Sequence, residues 1–427
     1  MSTSIEAEIE AASTWTLNRK YRGPRFDKLL LKNEFISSDE HQFAQSKALN
    51  KLLEHCFNFV PYYRTLFSNQ GITEDQLRDP EILKSISPLD KGHVTDNTKL
   101  LLSEHLPQGH TLAGTTQSSG TTGQPTVIRH SRPSLAMFQW LKQRELRWHR
   151  YNPMGSWASI RPFIELPKIR PDHSYLKDGQ ALRLSAWPYF TRLFNTGPFL
   201  GFNNTNSVEA QVRFLEQVKP DYLLMQASCL EHLSMQNISP LVTDQLKGAQ
   251  SVSQTLTPKM RALIEGSLKT PVHQNYGLNE IGLVASRCQE GGRYHIHREH
   301  CIVEIVRSDG TDCEPGERGK LLVTSLTNFA MPLIRYDADD LAEVVDGPCP
   351  CGRTLPSFGA VQGRYRRMAH LPEGTLKRWG AIQFALHILP SELKSTVRRY
   401  QAIQDSQGHL NCGLIVQKTL LQRYLLI

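Results

Sequence analysis

The feature that most limits how this chain folds is a change of hydrophobic rhythm along its length. Up to about residue 290, helical and strand-like segments alternate. Beyond it, short strand-like runs follow one another between turns. Phe43, Ala44, Ala48, Leu52, Leu53, Cys56 and Phe57 recur at helical spacing, which predicts a helix over 38–57 with Ser38-Asp-Glu as its cap and Pro61 as its stop. A helix over Pro133–Trp148, a strand at Asp221-Tyr-Leu-Leu-Met-Gln226, a helix over Ser228–Met235 and a helix over Thr257–Leu268 follow, the last with Thr257 as cap and Pro258 in its first turn. Val272-His-Gln-Asn-Tyr276 reads as a strand. After it, Tyr294–His297, Cys301–Val306 and Lys320–Ser325 read as strands, parted by the turns Ser308-Asp-Gly310 and Glu314-Pro-Gly316. Such an order predicts an α/β fold: mixed sheets with flanking helices, then a β subdomain.

At the ends the rhythm fades. Residues 1–37 are polar and read as a partly ordered arm, and residues 151–206 read as loops and short strands. From 364 to 427 a helix (Ser391–Tyr400) and a strand (Leu410–Val416) predict a small α+β lobe. The expected division is therefore 1–37, 38–363 and 364–427.

Composition narrows the function. A hydrophobic fraction of 39% excludes disorder across the whole chain. No run of roughly 18 apolar residues is present to span a bilayer, and the first residues lack a secretory pattern; the expectation is a cytoplasmic protein without a membrane partner. The net charge of +8, from 49 Lys+Arg against 41 Asp+Glu, is spread out, and its tightest cluster is Arg364, Arg366 and Arg367. Nucleic-acid binding would need a longer basic stripe, so an anionic small substrate explains the bias better. Eight cysteines are too few for a disulfide scaffold.

Four segments carry chemistry. Ser118-Ser-Gly-Thr-Thr-Gly-Gln-Pro125 joins flexible glycines to hydroxyl donors, a composition suited to cradling phosphates, although a linker reads the same way. Asn275-Tyr-Gly-Leu-Asn-Glu280 sets a ring, a glycine and a carboxylate within a few residues: a base-stacking surface, room for a ligand and a candidate Mg²⁺ ligand, or simply a turn. Pro332-Leu-Ile-Arg-Tyr-Asp-Ala-Asp-Asp340 reads as a strand ending in carboxylates able to accept from ribose hydroxyls, or as an acidic turn. Gly363-Arg364 follows a strand-like run.

In this order and spacing the four segments resemble the acyl- and aryl-adenylate-forming enzymes, specifically the phenylacetate–coenzyme A ligase branch with its capsular-biosynthesis relatives. The resemblance covers roughly residues 50–370. It implies a large N-terminal adenylate-forming body and a small C-terminal lobe. Ser118, Ser119, Gly120, Thr121, Thr122 and Gly123 would hold the phosphates of ATP, Tyr276 and Gly277 the adenine, Glu280 Mg²⁺, and Asp340 the ribose. Arg364 marks the hinge, and Gly316-Glu-Arg-Gly-Lys-Leu-Leu-Val-Thr324 is similar to the strand entry before the aspartate. The implied reaction joins a small-molecule carboxylic acid to AMP with release of pyrophosphate, then transfers the acyl group to an amine, coenzyme A or a carrier protein. A homodimer is the assembly considered, and a degenerate nucleotide-binding relative without turnover is the alternative.

The cysteines fit the same branch. Cys288, His295 seven residues on, and Cys349-Pro-Cys351 make a closed Cys₃His set of the structural zinc kind. His297 is a rival for His295, and Cys301 and Cys313 are spares. Three departures from the family pattern stand out. Gln124 takes the place of a phosphate-loop lysine, Arg366 and Arg367 fall where the hinge is acidic, and the C-terminal lobe is short. Lys418, the last lysine of the lobe, is the candidate for its catalytic cation. Trp157, Phe163, Trp187, Tyr189, Phe190 and Phe199 line the acid pocket in one reading and belong to the core in another.

Overall fold

The computed structural model describes residues 2–19, 25–117, 126–161, 176, 179–190, 193–364, 368–370, 376–378, 397–404 and 410–416. The chain divides into two compact units, Met1–Gly363 and Arg364–Ile427. Among the described residues, no helix is long and apolar enough to cross a membrane.

The first unit opens its β structure with an antiparallel hairpin of β1 (Leu112–Gln117) and β2 (Val127–Ser131). Six strands follow: β3 (Trp157–Arg161), β4 (Ala181–Leu184), β5 (Phe199–Asn203), β6 (Tyr222–Gln226), β7 (Gly248–Val252) and β8 (Val272–Leu278). The remaining six are β9 (Gly282–Arg287), β10 (Tyr294–Ile296), β11 (Cys301–Val306), β12 (Arg318–Ser325), β13 (Tyr336–Val344) and β14 (Ser357–Arg364). Strands β3 to β14 form one twelve-stranded sheet in the order β11-β12-β13-β14-β10-β9-β8-β7-β6-β3-β5-β4.

Strand β8 is where the sheet changes character. Its first half runs parallel to β7, and from Asn275 onward it pairs antiparallel with β9. The change follows from the connections: crossover helices return the chain parallel on the β5–β8 side, whereas the short turn after β8 can only reverse it. Strands β3, β5, β6 and β7 are buried along nearly their whole length, as a parallel sheet covered on both faces requires. Helices Val208–Val218, Ala227–Ser234 and Pro258–Leu268 cover one face through Phe214, Leu230 and Ile264. The other face packs Trp157, Tyr222 and Leu224 against Trp140 and Leu141 of the helix Arg132–Trp148. A third core joins helix Ser38–Phe59 to the antiparallel half through Leu52, Leu53, Cys56, Val284 and Val323.

Several local expectations are corrected. Helix Ser38–Phe59 is capped by Ser37 rather than Ser38: Ser37 Oγ accepts from the Glu40 amide, and the Glu40 carboxylate accepts from the Ser37 amide. Pro61 opens the next helix, Pro61–Asn69, at a position where its missing N–H costs nothing. Helix Val208–Val218 is an addition to the elements that the sequence rhythm predicts.

Residues 1–37 are expected as a partly ordered arm. They hold the helices Ser2–Ser13 and Asp27–Asn33, anchored by buried charge. Glu8 and Glu34 meet Arg147 and Arg353, and Glu34 also accepts from Trp148 Nε1 at 2.9 Å. Trp15 and Leu30 also enter the core that holds Trp140 and Trp187, but they are too widely spaced in the sequence to form an apolar rhythm.

In the second unit, β15 (Met368–His370) pairs with β16 (Leu376–Arg378), and β17 (Val397–Gln404) with β18 (Leu410–Val416). Residues 397–400 thus lie in a strand, not in the expected helix Ser391–Tyr400; residues 391–396 lie outside the described residues. Pairing with β18 overrides a local helical pattern in a segment containing Val397, Tyr400 and Ile403, all good strand formers.

Candidate active site and metal centre

The reversal after β8 carries Tyr276, Gly277 and Glu280. The register shifts between Tyr276 and Gly277, so the strand bulges there. A β-carbon on Gly277 would lie 2.9 Å from the Gly282 carbonyl oxygen, and only glycine allows that approach. Tyr276 turns its hydroxyl to the neighbouring strands and donates to Asp340 Oδ2 at 2.8 Å, with both residues buried. Burial, and then the adjacent Asp340 carboxylate, hold the Tyr276 phenol well above its usual pKa, so it remains a neutral donor. Glu280 is buried at the end of the turn.

Asp340, expected at a strand end, is found within β13. A bulge accounts for its usable position. Lys320 pairs with Leu341 and Leu322 with Asp337, so residues 338–340 stand across from Leu321 alone. Asp339 takes a left-handed φ of 60°, and its amide donates to Asp337 Oδ1 at 2.9 Å. The bulge re-aims the side chains along this stretch. Arg335, in the same motif, is structural: buried, it pairs with Glu304 and donates to the Lys84 and Ile86 carbonyls.

The hairpin β1–β2 is fastened beside this turn. Thr116 Oγ1 donates to the Asn279 carbonyl at 2.7 Å, and His130 Nε2 lies 2.8 Å from the same hydroxyl. Asn328 holds the other strand, donating to the Arg129 carbonyl and accepting from the Ser131 amide. Gln117 pairs with Val127, so the two ends of the connecting segment stand side by side next to the turn that carries Glu280. Ser118, Ser119, Gly120, Thr121, Thr122 and Gly123 themselves lie outside the described residues, as do Gln124 and Lys418. Arg364 closes β14, and its side chain lies outside the described part. Thr116, His130 and Asn279 are not singled out by the sequence; the only available signal is their closeness to the Ser/Thr/Gly run and to Glu280.

A second centre lies at the far end of β9. Ligand atoms of Cys288, His295, Cys349 and Cys351 all fall within 4.8 Å of one another, and all four residues are buried. The Sγ atoms of Cys288 and Cys349 are 3.4 Å apart, and Cys351 Sγ is 3.2 Å from His295 Nε2. These are spacings of the size a tetrahedral ion with bonds of about 2.0–2.3 Å would impose. His295 Nδ1 donates to the Leu355 carbonyl at 3.0 Å, which leaves Nε2 as the lone-pair nitrogen facing the sulfurs. A β-carbon on Gly291 would lie 2.2 Å from Cys349 Sγ, so the cluster needs glycine there.

Hydrogen bonding from Cys351 pulls the Cys288 thiol far down against the opposing effect of burial. Burial alone would lower the His295 pKa, but the Cys288 and Cys349 sulfurs raise it to about 9. The donor set therefore favours a positive centre. His297 is engaged elsewhere, with Nε2 at 3.0 Å from Ser286 Oγ and Nδ1 at 3.3 Å from Arg144. Cys301 Sγ faces the carbonyls of Val284 and His297.

The aromatic residues offered as a pocket are largely core. Trp157, Trp187, Phe190 and Phe199 are fully buried, and the Trp157 and Trp187 rings meet edge-on at 4.8 Å. Tyr189 is only half-buried, and Phe163 lies outside the described residues.

No family model matches the chain. It is 26% identical to the phenylacetate-coenzyme A ligase of Escherichia coli over 399 residues, which span 88% of this chain and 82% of that protein. With the phenylacetate-coenzyme A ligase of Thermus thermophilus the identity is 26%, over 78% of this chain and 72% of the relative. The fold matches a 2-hydroxyisobutyryl-CoA ligase crystallised in the postadenylation state with R3-HIB-AMP. The TM-score there is 0.67 at 15% identity, covering 94% of this chain and 84% of that one. The chain is thus similar in sequence to phenylacetate-coenzyme A ligases and in fold to a CoA ligase crystallised with an acyl-adenylate. Beside these likenesses, the Tyr276–Asp340 contact and the hairpin-to-turn tether join two sequence motifs of this chain, and its Cys₃His cluster sits at the other end of the neighbouring strand, β9.

Proposed function

We propose that this AMP-forming ligase activates a small-molecule carboxylic acid at the Tyr276–Glu280 turn and passes the acyl group to coenzyme A, with an amine or a carrier-protein thiol as the alternative acceptor. The hydrogen bond from Tyr276 to Asp340 carries this reading. It joins two motifs 64 residues apart into one surface, as a single nucleotide spanning both would need.

In this reading Tyr276 and Gly277 border the adenine, and Asp340, oriented by Tyr276, accepts from the ribose hydroxyls. Ser118, Ser119, Gly120, Thr121, Thr122 and Gly123 donate to the β- and γ-phosphates. Arg364 and Lys418 supply positive charge, in place of the cation that Gln124 does not provide. Glu280 would hold Mg²⁺, which offsets phosphate charge when bound. A carboxylate oxygen of the acid attacks the α-phosphorus, the bond from that phosphorus to the bridging oxygen breaks, and pyrophosphate leaves. The acceptor's sulfur or nitrogen then attacks the acyl carbonyl, and AMP departs. Positioning two anions in line is the main task of the residues named here.

Cys288, His295, Cys349 and Cys351 would hold zinc as a structural cross-link, because four protein ligands leave no open position. A reducing, cytoplasmic setting keeps those thiols available. The test is exchange of labelled pyrophosphate into ATP across a panel of acids, with hydroxylamine trapping of the adenylate. Acid-dependent exchange and a hydroxamate product are expected; absence of both with every acid overturns the reading.

A further inference from the structure

One buried charged cluster has no part in the reaction as described. Lys142 and Glu145 lie one turn apart on the helix Arg132–Trp148, with side chains only 6% and 0% exposed. Lys142 Nζ donates to Glu145 Oε2 at 2.7 Å and to Gln250 Oε1 at 2.9 Å. The other carboxylate oxygen, Glu145 Oε1, accepts from Gln250 Nε2 at 2.6 Å and from Asn275 Nδ2 at 2.8 Å. An ion pair buried this deeply loses much of its attraction to desolvation, and apolar side chains of similar volume often stabilise a fold as well or better. Stability alone therefore does not account for charge at this place.

Geometry does. The helix begins directly after β2, so it is continuous with one strand of the hairpin that brackets residues 118–125. Gln250 stands on β7, and Asn275 on β8 one residue ahead of Tyr276. On the far side of the same turn, Thr116 of β1 donates to the Asn279 carbonyl. The turn is thus gripped at both ends by one hairpin-and-helix unit, through Glu145 on one side and Thr116 on the other.

We infer that Glu145 is a positioning residue: Lys142 and Gln250 hold its carboxylate in one orientation, it locks Asn275, and the locked strand sets the distance between the hairpin and the turn bearing Tyr276 and Glu280. The inference rests on the ligase reading above for its catalytic consequence. Its structural half does not.

Two variants test it. Asn275→Ala removes the tether and leaves the Lys142–Glu145–Gln250 cluster intact. The triple variant Lys142→Met/Glu145→Leu/Gln250→Leu replaces both charges, and the buried amide bonded to each of them, with apolar side chains, so none of the three is left without its partner. Both should melt near the wild-type temperature. In both, amides of residues 277–280 should exchange with deuterium about ten-fold faster while those of β6 and β7 stay protected, because a locally loosened segment opens independently of the core. The kcat for pyrophosphate exchange should fall about ten-fold or more, with a smaller change in KM for ATP, as misplacement of reacting groups produces. Wild-type protection of the turn in Asn275→Ala overturns the inference, and so does faster exchange with an unaltered kcat. Wild-type protein that exchanges no pyrophosphate with any acid sinks the ligase reading instead, and the deuterium result still decides whether Asn275 locks the turn.

Discussion

At the scale of single residues, the proposed site rests on two side chains with separate duties. Tyr276 donates to Asp340, and Glu280, buried at the end of the turn, is the proposed Mg²⁺ ligand. Glu280→Gln removes the carboxylate charge from a buried position while keeping shape, so the fold should persist and acid-dependent pyrophosphate exchange should drop by about a hundred-fold or more, the range for loss of an electrostatic partner in a transition state. Unchanged exchange would remove Glu280 from the reaction. Buried imidazoles set the response to acid. Burial lowers His130 and His300 to about 4 and His273 to about 3, against an ordinary value of 6.5. The unfolded chain therefore binds more protons than the native one from pH 6.5 down to about 4, and stability must fall as pH falls through that window. A melting temperature that stays flat between pH 7 and 5 would contradict this.

At the scale of elements, side chains of the Cys₃His cluster join the β9–β10 hairpin to the Cys349–Cys351 turn. Cys351→Ser should lower bound zinc from one atom per chain toward none, measured by elemental analysis. It should also reduce the melting temperature, because ligand loss removes metal-binding energy from the folded state. Equal metal content in the variant would refute the proposed centre. Helix Pro258–Leu268 offers a control away from any site: Thr257 Oγ1 accepts from the Met260 amide. Thr257→Ala should cost about 1 kcal/mol in urea unfolding, without effect on metal or exchange.

At the scale of the whole molecule, the N-terminal helices are held by a buried charge cluster. Glu8, Glu34 and Glu299 face Arg144, Arg147 and Arg353, and the Arg353 guanidinium also lies 4.4 Å from the Trp148 ring. Arg353 stands two residues beyond Cys351, so the same charged cluster adjoins the Cys₃His set. Glu34→Ala would leave three buried arginines sharing only Glu8 and Glu299 and should cost about 3–5 kcal/mol. Deleting residues 1–37 should be worse, yielding insoluble or metal-poor protein. A deletion variant that melts like wild type would show the segment to be dispensable.

What could be read along the chain was whatever depends on neighbours in sequence. Helix 258–268 with its Thr257 cap, the buried strand at 222–226 and the alternation of elements all follow from local rhythm and turn chemistry. The Cys349-Pro-Cys351 spacing and the Tyr276-Gly-x-x-Glu280 run were legible for the same reason: their chemistry is written within a few residues. Tertiary structure decided everything that rests on partners far apart in the chain. The bulge that brings Asp340 to Tyr276, the choice of His295 over His297, the conversion of 397–400 to strand and the anchoring of residues 1–37 by Arg147 and Arg353 each depend on such contacts. A charge or a register has no fixed meaning until another strand or helix supplies its partner, and rhythm in one segment cannot specify which partner that will be.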